Sequence, residues 1–101
     1  MNPQQQRPLK INLGAVKRLI KEKKMYEDEF AEAQQKVQTS TFEQGSSELK
    51  RLIDMRDEAE QMVHDSDRRL ADFKAKLAAA LKDVEQFADD PMVIEAKQIL
   101  Q

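Results

Sequence analysis

The sequence predicts an all-α protein: an antiparallel three-helix bundle, elongated and coiled-coil-like, with a short third helix. Three observations carry that expectation. Of 101 residues, 40% are hydrophobic and 36% charged, the mix of helices with solvated outer faces rather than of a broad globular core. Gly and Pro fall only at positions 3, 8, 14, 45 and 91, so nothing punctuates 15–44 or 46–90. Through both intervals apolar residues return at alternating steps of three and four, the period of a helix packed along a seam.

Met1 to Pro8 is polar and Gln-rich and reads as a flexible N-terminal tail (1–8), leaving 9–101 for the bundle. The first helix is expected over about 9–38. Its seam is Leu13, Val16, Ile20, Lys23, Glu27, Phe30, Gln34 and Val37, widened by Leu19, Tyr26 and Ala33. Two start signals compete: Pro8 as the first helical residue, or Asn12 as an N-cap.

From Thr39 to Ser46 hydroxyl and β-branched residues and Gly45 break the pattern, marking a short turn. Ser46 or Ser47 then offers an N-cap, with Glu48 in the first turn of a second helix expected over 46–88. Leu49, Leu52, Arg56, Ala59, Val63, Ser66, Leu70, Phe73, Leu77, Ala80, Val84 and Phe87 keep the alternation, with Ile53 and Leu81 beside them. Asp89-Asp90-Pro91 reads as a stop and restart, because proline suits the first position of a helix whose cap is Asp. The third helix, 91–100, carries Val93, Ile94, Ala96, Ile99 and Leu100.

Folding back near residue 42 makes facing positions on the long helices sum to roughly 85. Val37 is then expected opposite Leu49, Val16 opposite Leu70, and the third helix beside Leu9 and Leu13. The same register puts Glu27 near Arg56, both on the inner seam, and predicts an ion pair that would penalise any slip of the hairpin.

The residue inventory excludes several functions. There is no Cys and one His, and no HExxH, CxxC, GxGxxG or phosphate-loop pattern, so no catalytic, metal-binding or cofactor-binding residue is expected. The chain is not read as an enzyme. His64 follows a seam residue and is expected to point outward as a solvated histidine, with pH sensing or partner contact as the alternative roles. A net charge of −2, one Tyr, and four Phe mostly on seams argue against nucleic-acid binding. Membrane binding is disfavoured because the apolar residues of the first helix are needed by the bundle, and no run approaches the roughly 18 apolar residues of a span. With no signal-peptide pattern and no cysteine, the cytoplasm is the expected location.

The charges are unevenly placed. Residues 7–24 carry Arg7, Lys10, Lys17, Arg18, Lys21, Lys23 and Lys24 against Glu22, whereas 25–35 carry Glu27, Asp28, Glu29 and Glu32 without a base. Lys10, Gly14, Lys17, Lys21, Lys24 and Asp28 follow steps of four and three, so four lysines share one helix ridge. A solvated face is the simple reading of such a ridge. As a binding site it comprises Lys17, Arg18, Lys21, Lys24 and Tyr26. Arg68 and Arg69 are a second candidate, with local pairing to Asp65, Asp67 and Asp72 as the competing reading.

The run from Gly14 to Glu27, with Asp67-Arg68-Arg69-Leu70 and Glu95-Ala96-Lys97-Gln98-Ile99-Leu100, resembles the tubulin-binding cofactor A family over roughly residues 9–100. The resemblance implies a chaperone that captures β-tubulin stoichiometrically, without ATP or any cofactor, before heterodimer assembly. It also implies handover to other tubulin-folding cofactors, a cytoplasmic, cytoskeleton-associated life, and a monomer or homodimer. In that family β-tubulin presents an acidic surface, which the lysine ridge would steer and orient. Many members carry a helix-bending proline where this chain has His64, so a straighter second helix is expected here. The reading that needs no resemblance is a structural coiled coil acting through self-association.

Overall fold

The computed structural model describes all residues, Met1–Gln101. It contains three helices and no strand: α1 (Pro3–Gln38), α2 (Ser47–Lys82) and α3 (Pro91–Leu100).

α1 starts earlier than the sequence reading placed it, so residues 3–8 are helix rather than tail. The cause is local. Asn2 caps the helix by accepting from the Gln5 N–H at 2.8 Å, and the Asn2 N–H donates to Gln5 Oε1 at 3.2 Å. This reciprocal pairing of the cap and third-position residues satisfies two backbone donors, and Pro3 occupies the first helical position, where its missing N–H costs nothing. Pro8 lies inside the helix, where it forfeits one bond to the carbonyl of the exposed Gln4. Asn12 is therefore no cap; its Nδ2 donates to the Pro8 carbonyl at 2.8 Å.

Gly45 takes φ 84°, the left-handed conformation glycine adopts without a Cβ clash, and turns the chain. Ser46 then caps α2, its Oγ accepting from the Leu49 N–H at 3.2 Å and its carbonyl from the Lys50 N–H at 3.0 Å. α2 passes through His64 unbroken but stops at Lys82, six residues short of the expected end. Beyond it the Val84, Phe87 and Asp90 N–H groups donate to the carbonyls of Leu81, Val84 and Phe87. These successive three-residue turns tighten the backbone while Val84 becomes fully buried. α3 restarts as its sequence indicates: Asp90 accepts from the Met92 N–H at 2.9 Å, and Pro91 opens the helix.

The chain divides into two compact units, Met1–Ile20 with Arg69–Gln101, and Lys21–Arg68. The first is a three-helix bundle. Leu9, Leu13, Val16 and Leu19 of α1 cluster with Leu70 and Leu77 of α2, Val84, and Val93 and Ala96 of α3. Val16 and Leu70 thus share one core, and α3 covers Leu9 and Leu13. The second unit is a two-helix hairpin built from the later half of α1 and the earlier half of α2. Its seam residues Phe30, Ala33, Val37, Leu52, Ala59 and Val63 are only half-buried, because two helices cannot enclose a seam. Ser66 is the one fully buried residue there.

The Glu27–Arg56 pair does not form. Arg56 turns to its chain neighbour, with Nε and Nη2 at 3.2 and 3.1 Å from Asp57 Oδ1. A half-exposed guanidinium has little to gain from reaching across a wet seam when a carboxylate stands beside it. An ion pair that does join the two helices of the hairpin is Lys23 Nζ to Asp67 Oδ1, at 2.9 Å.

Candidate functional site

The basic stretch of α1 is displayed because its opposite face is taken up by packing. Leu13, Val16 and Leu19 are buried, and Lys17 and Arg18 between them and Lys21 just beyond are exposed. Lys10 and Gly14 are exposed on the same ridge, and a side chain added at Gly14 would meet nothing.

Side chains along the ridge differ in how far their charge is already used. In the first unit Lys17 Nζ lies 2.7 Å from Glu95 Oε1 of α3. In the second, Lys24 Nζ stands 3.9 Å from Asp28 Oδ2 one turn on, a long contact between two well-exposed groups that screens little. Lys21 is exposed and forms no salt bridge. Arg18 is exposed too. Tyr26, expected as an apolar rim residue, is half-buried.

Lys23 belongs to the hairpin rather than the ridge. The hydrogen bond from its ammonium to Asp67 and the charge of that carboxylate raise its pKa above the ordinary 10.5; slight burial opposes this and Glu27 adds to it. Arg68 is exposed and bonds Asp65, the local pairing the sequence allowed. Arg69 is exposed in the other unit and makes no salt bridge, so the local pairing with Asp67 or Asp72 does not form. His64 is exposed, 3.7 Å from Glu60 one turn earlier.

Charge separates between the units. Residues 21–68 hold 13 acidic and 8 basic side chains, net −5; the remainder holds 6 and 9, net +3, which restores the chain's −2. The acidic bias begins in 25–35, which holds four carboxylates and no base directly after the basic stretch of α1, so the helix changes sign along its length.

Sequence reasoning passed over two methionines on α2, Met55 and Met62. Met55 and Met62 each follow a seam residue, Leu52 and Ala59, by three positions and so widen the apolar face of α2 on one flank, and Met55 is 46% exposed. That spacing was readable as it stood. It was missed because one face of α2 had already been assigned to α1.

No group of three or more metal-ligating side chains occurs, and no helix is long and apolar enough to cross a membrane. Together these features define a small all-α bundle protein whose exposed chemistry lies on helix faces.

The profile of the family described as tubulin binding cofactor A matches residues 4–100, and the chain belongs to that family. It is 32% identical over 95 residues to the tubulin-specific chaperone A of Homo sapiens, covering 93% of this chain and 88% of the relative. Against the tubulin-specific chaperone A of Gallus gallus it is 32% identical over 96 residues, covering 94% and 89%. Its fold is similar to the solved structure of human tubulin chaperone cofactor a, with a TM-score of 0.80, 29% identity, and coverage of 95% and 94% of the two chains. Those relatives are named for chaperoning, a function other than catalysis.

Proposed function

We propose that this chain is a tubulin-folding chaperone that captures β-tubulin one to one before heterodimer assembly, in the cytoplasm and beside the cytoskeleton, and hands it to further tubulin-folding cofactors. Capture needs no ATP, consistent with a sequence that carries no phosphate-binding loop. Family membership over nearly the whole chain supports the tubulin partner. The observation that carries the site is the ridge on α1, where Lys10 and Lys21 stand exposed and unpaired beside Lys17 and Arg18.

Cations on an otherwise acidic protein act mainly on encounter and orientation. They draw the acidic face of the client to the start of α1, while the acidic hairpin beyond Met25 repels it, so the charge division gives the complex its polarity. Arg69 extends the same sign on α2.

The test is a pull-down of native β-tubulin by the purified chain at two salt concentrations, with sizing of the product. A one-to-one complex that weakens with salt is expected, and Lys17→Glu/Lys21→Glu should reduce affinity about tenfold with helicity intact. Unchanged affinity in that variant would remove the ridge from the site. No complex, with the chain itself forming higher oligomers, would favour a structural bundle acting through self-association.

A further inference from the structure

The hairpin of the second unit lacks the third helix that covers the first, and its open side is a groove of about 330 Å³ between α1 and α2. Its floor is apolar: Ala33 from α1, with Leu52, Ala59 and Met62 from α2, all half-buried, and the exposed Met55 at its edge. Small residues on both walls let another helix come close. Methionines supply a flexible, polarizable surface that adapts to different apolar side chains.

The rim is acidic. Glu29 and Glu32 line the α1 wall and Glu58 the α2 wall, with Lys36 the one base. Lys36 lies 3.4 Å from Glu32, so those two charges offset each other. Glu29 and Glu58 have no ion-pair partner, and they face the groove from opposite walls within a unit of net charge −5.

We propose that this groove is a second docking site, separate from the lysine ridge, for a basic amphipathic helix of a partner protein. Such a helix lays its apolar stripe on Leu52, Met55 and Met62 while lysines or arginines flanking the stripe meet Glu29 and Glu58. Charge complementarity selects the occupant. An acidic client surface of the kind the ridge attracts is repelled here, so one chain can hold two partners of opposite charge. The chain's own basic segment is a poor occupant, because Lys17 is held by Glu95, and Ile20 is the one large apolar side chain exposed between Asn12 and Lys24.

The probe is a fluorescein-labelled 14-residue helix of leucine and lysine, titrated with the full chain and read by anisotropy, against the same peptide with glutamate for lysine. The lysine peptide should bind and the glutamate peptide should not. Glu29→Lys/Glu58→Lys should weaken binding about tenfold, as should Met55→Glu, whereas Glu43→Lys/Glu48→Lys, the same charge change away from the groove, should alter it less than about twofold. Circular dichroism melts check that each variant keeps its fold. Equal weakening by both double charge variants would reduce the effect to diffuse attraction and overturn the proposal. So would a chain that sediments alone as a dimer that Glu29→Lys/Glu58→Lys dissociates, since the groove would then belong to a second copy.

Discussion

Lys17 Nζ and Glu95 Oε1 lie 2.7 Å apart, joining α1 to α3 across the outside of the three-helix unit. Both side chains are about half exposed, so the pair adds little to stability, but it holds one ridge ammonium against a carboxylate with which the acidic client of the proposed function would compete. Removing that carboxylate should favour capture. Glu95→Gln is expected to raise the association rate for β-tubulin a few-fold at low salt, with the gain lost at high salt and the melting temperature nearly unchanged. Stopped-flow fluorescence at two ionic strengths checks it; an unchanged rate would mean that Lys17 takes no part in the encounter.

The Lys23–Asp67 pair makes hairpin stability depend on pH in the alkaline range. Its lysine pKa is raised on folding, so the stabilisation is complete below the unfolded value of 10.5 and is lost as pH rises through the higher folded value. With the two side chains 37% and 47% exposed, solvent screening limits the pair to about 0.2–1 kcal/mol. Asp67→Asn should therefore be less stable than the parent at pH 8, and the gap should narrow at a pH well above 10.5, once the folded lysine also loses its proton. Urea unfolding at both pH values provides the measurement, and a gap that persists at high pH would assign the loss to packing.

Ser66 is fully buried on the α2 seam, and its hydroxyl has no hydrogen-bond partner. A buried hydroxyl without a partner costs on the order of 1–3 kcal/mol, and serine is also a poorer helix former than alanine. Ser66→Ala is expected to stabilise the chain by about 1 kcal/mol. The urea midpoint should rise at constant slope; a fall would show that the hydroxyl is satisfied in solution.

Every fully or nearly fully buried apolar side chain lies in the three-helix unit, whereas the apolar residues of the hairpin seam are only half-buried. Local stability follows buried apolar area. Amide exchange should be slowest around Leu13–Leu19 and Leu70–Leu77 and markedly faster over 27–37 and 49–60. Leu77→Ala should cost about 2–5 kcal/mol, and Leu52→Ala clearly less. Uniform protection along α1 would contradict this division.

The helices were legible because they are local. The three-and-four spacing of α1 and α2, the Ser46 cap, the left-handed Gly45 and the Asp90-Pro91 restart each follow from the residues within a turn of them. The early start of α1 was legible in the same sense: Asn2, Pro3 and Gln5 form a start signal that the later Pro8 obscures. The end of α2 was not, since seam residues continue past Lys82 and nothing local shows that Val84 and Phe87 reach the core through tighter turns.

The site divides in the same way. Which cations occupy the ridge follows from helical spacing alone, but Lys17 is engaged by a residue 78 positions away in sequence, and no periodicity contains that fact. The expected Glu27–Arg56 pair failed for the complementary reason: seam register brings two side chains into range, yet an adjacent carboxylate competes without the entropy of ordering both across the seam. By itself, then, the sequence determined the helices, their caps, the hairpin turn, the positions of the charges and the family. Tertiary packing alone sets which unit is enclosed by a third helix and which keeps an open groove, and which charges are spent internally. Helix formation is settled by bonds four residues apart, whereas burial and pairing depend on which distant segment arrives alongside.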